Sequence, residues 1–360
     1  MAQQHKASIL PQKHGKLEVG TRPTPVPQGT QALVKVTAAA INPIDWKIID
    51  YGIFIENFPA VLGFNGAGVI HAVGQEVTNF KVGDRVYVSA FSLSGTVNPD
   101  YASYQEYALV DTDTIAKTPN NINDDQASTI SVGAVTAYLG LFQGTGIVAP
   151  LSAPTANGKP LLILGGSSSV GQFGKHTFAN AFHLHLNYGA AIQLARIAGF
   201  SPIVTTASSQ HAEFLKSLGA THVFDRNADV RTLHSVFSTP VALVFDTVSE
   251  EGTQLLAFDV LTAPSPVSGA RLIVLLPQVD SFKKKNSGDK IAVDEVDGGS
   301  EGLKDVIVPF WQKIGQWVEG GELVPNRVQL VNGGLAGIPG ALDLSRKGVS
   351  GVKLVVRPQE

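Results

Sequence analysis

Two hydrophobic rhythms divide this chain. Up to about residue 128 the apolar positions come in short strand-like runs: Ala32–Ala40, Gly66–Val73, and Gly83-Asp84-Arg85-Val86-Tyr87-Val88, where a tight turn feeds a strand. Runs of this kind predict a β-rich segment. From about 160 to 276 the pattern changes to apolar runs alternating with helix-length segments. The runs are Leu161–Leu164, Ile203–Thr206, Val223–Phe224, Val241–Phe245 and Leu272–Leu276. That alternation predicts βαβ units and a parallel sheet, hence an α/β fold. Pro264-Ser265-Pro266 and the charged stretch Lys283–Asp297 read as surface loops. From about Val308, a helix over Phe310–Glu319 and two short strands predict a return to the first domain.

The run Pro160-Leu161-Leu162-Ile163-Leu164-Gly165-Gly166-Ser167-Ser168-Ser169-Val170-Gly171 joins a buried strand through a Gly/Ser-rich turn to a helix start. Backbone N–H groups and the positive end of a helix dipole converge there, which suits a pyrophosphate. Gly166, Ser168 and Gly171 occupy the positions of a Gly-x-Gly-x-x-Gly fingerprint, which alone fits a dinucleotide site and an ordinary strand–helix turn equally well.

In dinucleotide folds a residue about 20 positions further on, at the end of the second strand, reads the cofactor ribose. Here that strand is Pro202-Ile203-Val204-Thr205-Thr206, and Ser208 follows Gly171 by 37 positions. The excess matches the 17 residues of Gly174–Ala190. Deleting them aligns Val170, Phe173, Ala191, Leu194, Ala195 and Ala198 as the apolar stripe of one helix packed on a sheet. Gly174-Lys175 can be encoded with a donor-type GGTAAG and Ala190-Ala191 with an acceptor-type GCAG. The segment is therefore expected to be a translated, unspliced intron, with a genuine loop insertion as the alternative. His176, His183 and His185 lie within it without a nearby carboxylate and are not expected to bind metal.

At 360 residues, 44% of them hydrophobic, the chain is long enough for two domains. A net charge of −3 offers no basic surface for nucleic acid. No apolar run reaches bilayer length, and Met1-Ala2-Gln3-Gln4-His5-Lys6 lacks the apolar core of a secretory signal. Cysteine is absent, which removes disulfides and thiolate metal sites. The expectation is a cytoplasmic protein with neither nucleic-acid nor membrane partners.

Further motifs accompany the Gly165–Gly171 turn. They are Ile41-Asn42-Pro43-Ile44-Asp45-Trp46-Lys47, Pro59–Gly68, Val73–Val86, Tyr104-Gln105-Glu106-Tyr107, Phe245-Asp246-Thr247-Val248 and Gly348–Val355. In this order they resemble the zinc-free, quinone-reductase-like branch of the medium-chain dehydrogenase/reductases, and most of all the fungal trans-acting enoyl reductases. The resemblance spans nearly the whole chain. It implies a GroES-like β-rich catalytic domain (1–128 and 308–360) and a Rossmann doubly wound parallel-sheet domain (129–307, with 174–190 inserted). The active cleft would lie between them, with nicotinamide reaching toward residues 42–47. Such proteins are monomers or homodimers. Zinc-dependent relatives carry a Cys at or beside Asn42, a His at Phe64 and a four-Cys structural loop, none of which is present here, so no metal is expected.

The resemblance also assigns site residues. Gly166, Ser168, Ser169, Val170 and Gly171 would hold the pyrophosphate. At the end of the second strand, Ser208, Ser209 and His211 replace the acid that would select NAD, and this suits the 2′-phosphate of NADPH. Ser208 and Ser209 serve equally well as helix caps. No Arg stands in that segment; Arg226 replaces a Tyr that covers the adenine in many relatives. Asp45 and Lys47 would wall the cofactor site, although Asp45 reads equally as a helix cap and Lys47 as a solvated side chain. Leu275 would pass near the nicotinamide, with Val349 and Ser350 approaching from the C-terminal return. Gly133 and Thr136 match the helix over the substrate channel, or are plain helix packing. Asn42, Lys47 and Tyr51 are the weak catalytic candidates, while Tyr107, His71, His222 and Asp84 read as structural.

The implied activity is NADPH-dependent oxidoreduction without zinc. Hydride goes to Cβ of an α,β-unsaturated carbonyl, and the enolate is protonated at Cα. An enoyl thioester, an enone and a quinone all satisfy that chemistry, as does a carrier- or synthase-bound polyketide. A non-catalytic protein of the same fold, its cofactor helix interrupted by residues 174–190, is the alternative.

Overall fold

A computed structural model describes residues 3–90, 98–166, 189–265, 267–296 and 303–360. The chain divides into two compact units, Met1–Val132 with Gly299–Glu360, and Gly133–Gly298.

The first unit contains β1 (Gln4–Leu10), β2 (Glu18–Pro23), β3 (Gln31–Ala40), α1 (Pro43–Tyr51), β4 (Ala60–Val61), β5 (Asn65–Val73), β6 (Arg85–Ser89), β7 (Tyr107–Asp111), β8 (Ile115–Lys117) and α2 (Asp124–Ala127). The helix α3 (Ser131–Phe142) then leads into the second unit. That unit contains β9 (Leu161–Leu164), α4 (Gly189–Ala198), β10 (Ile203–Thr206), α5 (Ala212–Leu218), β11 (His222–Phe224), α6 (Val230–His234), β12 (Leu243–Asp246), α7 (Glu251–Thr262), β13 (Arg271–Val274), α8 (Asp280–Lys285) and β14 (Ala292–Glu295). The chain closes in the first unit with α9 (Leu303–Glu319), β15 (Val328–Leu330), α10 (Gly334–Lys347) and β16 (Lys353–Val356).

In the first unit, β3 is the spine of a seven-stranded sheet ordered β15-β16-β3-β5-β6-β8, with β7 also pairing β3. Ala32, Val34, Ile70, Val86, Val88, Val110 and Ile115 interlock as one core from five of these strands. The C-terminal strand β16 pairs antiparallel with the end of β3, Val355 opposite Ala40. That register brings Lys353, at the start of β16, to the α1 entrance that follows β3.

In the second unit, β11-β10-β9-β12-β13-β14 form a six-stranded parallel sheet. Its order is that of a doubly wound dinucleotide fold, and direction reverses between β9 and β12. Strands β9 and β12 are buried along their whole length, because helices cover both faces of such a sheet. Leu162, Val244, Phe258, Leu261, Leu272 and Phe282 lie in the core under one layer. On α4, Ala191, Leu194, Ala195 and Ala198 are buried, the described part of the stripe expected from the sequence.

Two expectations fail locally. The stretch from Lys283 to Asp297 is not a loop throughout: its first residues end α8, and Ala292–Glu295 form β14, the sheet's outer strand. No residue of this edge strand is fully buried and two of the four are acidic, so no apolar run marks it. The helix α10 escapes a sequence reading because Gly334, Gly337, Pro339 and Gly340 resemble loop composition.

Candidate functional site

Within the second unit, the carboxyl ends of β9, β10, β12 and β13 meet at the reversal of strand order. Gly165 takes φ +87°, a left-handed conformation, and its N–H donates to Thr206 Oγ1 at 3.1 Å. The Gly166 N–H donates to the Thr206 carbonyl at 2.9 Å. A Cβ on Gly166 would stand 2.3 Å from Thr205 Oγ1. That hydroxyl is itself fixed, donating to the Ile163 carbonyl at 2.8 Å. Only a glycine lets the chain turn this closely over β10. On the other side, the Thr247 hydroxyl donates to the Leu164 carbonyl.

Asp246 ends β12 without solvent access. Its Oδ1 accepts the Val248 and Ser249 N–H groups at 3.0 and 2.8 Å. Burial pushes its carboxyl up to about 7 against the pull of those bonds and of the Thr253 hydroxyl. Ser249 Oγ donates to the Asp246 carbonyl and accepts the Leu275 N–H at 2.7 Å. Leu275 is thereby tied to the end of β12 and is buried.

At the end of β10, Ser208 lies half-buried, Ser209 is exposed and His211 is buried, and no acid stands among residues 207–211. The Arg226 guanidinium, from the loop after the neighbouring strand β11, donates to the Ser208 hydroxyl. A cation thus reaches the place where the sequence segment itself carries none. The parallel pairing of β10 with β11 explains it, since both loops leave the same sheet end. Ser168, Ser169, Val170 and Gly171, together with 174–188 and its three histidines, lie outside the described residues. Gly133 and Thr136 are buried on α3.

Within the first unit a second cluster forms where α1 begins. Asn42 is the N-cap of α1, and Asp45 reaches back to its main-chain N–H with Oδ2 at 2.6 Å. The same oxygen accepts the Tyr104 hydroxyl at 2.6 Å. Lys353 Nζ donates to Asn42 Oδ1 at 2.6 Å. Asn42, Asp45 and Tyr104 have no exposed surface and Lys353 has 5%. Burial pushes the Asp45 carboxyl up to about 7, opposed by Tyr104, the Asn42 N–H and the Lys353 charge. Burial likewise draws Lys353 down to about 8, with Asp45 opposing.

Gly63, at φ +100°, packs against this cluster, and a Cβ there would meet Ser103 Oγ and Tyr104 Cδ1 at 2.5 Å. Lys47 is half-buried with Nζ 5.6 Å from the centre of the Trp46 ring, and Tyr51 is 44% exposed. Val349 is half-buried and Ser350 exposed in the segment between α10 and β16.

Of the sequence-predicted residues, the first unit joins Asn42 and Asp45, and the second joins Gly166, Ser208 and Arg226 to one sheet end. Tyr104 and Lys353 appeared in the sequence only as motif letters. The available signal for Lys353 was a lysine opening an otherwise apolar strand.

The second unit's strand order and glycine turn are those of a dinucleotide-binding fold. Comparison with known proteins carries this further. Residues 28–120 match the alcohol dehydrogenase GroES-like domain and residues 189–264 the zinc-binding dehydrogenase family. The trans-enoyl reductase tndF of Aspergillus flavipes is 33% identical over 386 aligned positions, covering 99% of each chain. The trans-enoyl reductase tazE of Aspergillus terreus is also 33% identical, over 81% of this chain and 85% of its own. Among solved structures, the CurK enoyl reductase shares the fold with TM-score 0.72 at 19% identity, covering 99% of both chains. The chain belongs to the medium-chain dehydrogenase/reductases, of enoyl-reductase type. It is an oxidoreductase of a family that binds nicotinamide cofactors. Among the described residues, no helix is long and apolar enough to cross a membrane.

Proposed function

We propose that this protein is an NADPH-dependent, zinc-independent reductase of α,β-unsaturated carbonyl compounds. The observation that carries the cofactor choice is Arg226 on the Ser208 hydroxyl at the end of β10. A guanidinium and a hydroxyl at that point match a ribose 2′-phosphate, and an acid that would prefer an unphosphorylated ribose is missing. The residues fit the cofactor at the other end as well, since a Cβ at Gly166 would fill the close turn over β10. Gly165 and Gly166 would carry the pyrophosphate side of the site, and Leu275, positioned by Ser249, the nicotinamide side. When bound, the nicotinamide supplies hydride for Cβ of the substrate.

The residues of the first unit hold polar groups and supply donors. Asn42 is fixed at the head of α1, and the enolate that follows reduction takes a proton at Cα from a side chain or water. The Lys353 ammonium beside Asn42 Oδ1 disfavours a dication there, which supports a zinc-free site along with the absence of cysteine. The names of the two trans-enoyl reductases support an enoyl compound as the substrate. The test is turnover of an enoyl thioester and a simple enone with NADPH and NADH. Reduction of either with NADPH at much lower KM than NADH supports the reading; no reduction with either cofactor refutes it.

The insert of residues 174–190 is read as retained intron. Support comes from the spacing to Ser208 and from the buried stripe of α4, and the zinc-binding dehydrogenase match begins only at residue 189. Transcripts that all carry these codons would overturn it.

A further inference from the structure

A dinucleotide bound at a doubly wound sheet spans its two mononucleotide-binding halves. The glycine turn after β9 and the Ser208–Arg226 pair after β10 belong to the adenosine half. The nicotinamide half is then the one that β12 opens. Asp246 ends that strand, with Leu164 of β9 and Val274 of β13 opposite it. Its Oδ1 takes two main-chain N–H groups of the turn, while Oδ2 has no hydrogen-bond partner among the described residues. A carboxylate buried this completely ordinarily has a cation beside it. Here the neighbouring strands set apolar residues in register with it, and α7 offers the Thr253 hydroxyl. The charged group that bears on it is another acid, Glu250. The reductase reading gives this carboxyl no task.

We propose that Asp246 is a specificity-determining residue for the oxidation state of the cofactor: once ionised, its uncompensated charge favours the nicotinamide cation over the neutral reduced ring. The inference rests on the reductase reading and deepens it. Reduction moves a hydride from C4 of the nicotinamide to Cβ of the substrate. The C4–H bond breaks, the Cβ–H bond forms, and the ring is left two electrons poorer, as a cation. A buried charge acts on that cation through the protein, without contact, and is screened little. Because burial pushes the carboxyl up to about 7, both of its forms are populated near neutral pH. Binding of the oxidised cofactor then releases the Asp246 proton, and binding of the reduced one does not.

The experiment is isothermal titration calorimetry of the full chain with NADP+ and with NADPH, at pH 6 and pH 8, for wild type and Asp246→Asn. The readout is the ratio of the two dissociation constants, in which the 2′-phosphate and every other shared contact cancels. In wild type the preference for NADP+ over NADPH should grow at least about threefold from pH 6 to pH 8, the scale of one charge acting across a protein interior. Asp246→Asn keeps an acceptor for the turn and cannot ionise, so its ratio should stay level. Asp45 also titrates near 7 but is present in both proteins, so the difference between them isolates Asp246. At pH 7, in two buffers of different ionisation heat, NADP+ should release a larger fraction of a proton from wild type than NADPH does. A merely structural Asp246 would move both constants together and leave the ratio alone.

A wild-type ratio that is level between pH 6 and pH 8 overturns the proposal, as does a pH-dependent ratio that survives in Asp246→Asn. Should that variant fail to fold, equal proton release from wild type with both cofactors overturns it in the same way. A wild-type chain that binds neither NADP+ nor NADPH removes the cofactor reading and this role with it. A wild-type chain that binds both at a level ratio removes only the role.

Discussion

The buried carboxyl of Asp246 makes a quantitative prediction about the cofactor half of the protein. Asp246 ends β12 without solvent access, and burial pushes its carboxyl from the ordinary 3.8 up to about 7. The folded state therefore holds the proton more tightly than the unfolded state. The stability this confers is fully present below pH 3.8 and is lost as pH rises toward 7. At about 1.4 kcal/mol per pH unit, the rise amounts to at most about 4 kcal/mol. Asp246→Asn keeps an oxygen acceptor for the Val248 and Ser249 N–H groups but cannot ionise. The variant should match wild type well below pH 3.8 and exceed it by up to about 4 kcal/mol near pH 8, about 3 kcal/mol of which develops between pH 4.5 and 8. Asp45 also titrates near 7, but it contributes equally to both proteins. Urea unfolding followed by far-UV circular dichroism is the right assay, because Trp46, Trp311 and Trp317 all lie in the other unit. Parallel loss of stability in wild type and variant between pH 4.5 and 8 would refute the reasoning.

Further predictions address the remaining contacts. Gly166→Ala drives a Cβ into the fixed Thr205 hydroxyl and should cost about 1–3 kcal/mol in urea unfolding; Gly166→Ala/Thr205→Ala should recover much of it. Tyr104→Phe removes the buried bond to Asp45 and should destabilise by about 1–3 kcal/mol, more at pH 8 than at pH 5, because the ionised carboxylate then loses a donor. Dialysis against EDTA should leave the reductase activity intact; loss restored by zinc would contradict the metal-free reading. Removal of residues 174–190 should raise NADPH affinity in fluorescence titration, and lower affinity in the shortened chain would favour a genuine loop.

The parts of the fold that were legible in the sequence are those where burial is complete. Leu161–Leu164 reads as a strand because both faces of the parallel sheet are covered and no polar residue blurs the run, and Ile203–Thr206 because all four of its residues are β-branched. The edge strand β14 and the Gly/Pro-rich α10 were opaque for the opposite reasons of half-exposure and atypical composition. The candidate site was legible wherever one segment supplies it, as at Gly165–Gly166 or Asn42–Asp45. It was hidden wherever topology brings residues from afar. Arg226 reaches Ser208 only because β10 and β11 run side by side, and Lys353 meets Asn42 only because β16 pairs with the end of β3. Local spacing holds no trace of either contact; Arg226 was expected near the cofactor only through the family resemblance.

The most direct test of the account is the pair of dissociation constants for NADPH and NADH, measured by nicotinamide fluorescence for wild type and Arg226→Gln. A charge-assisted contact to phosphate is worth about 1.5–3 kcal/mol, so wild type should bind NADPH at least about tenfold more tightly than NADH. In Arg226→Gln that preference should collapse through weaker NADPH binding, with NADH unchanged. Equal affinity of the wild type for both cofactors, or a preference untouched by the substitution, would contradict it.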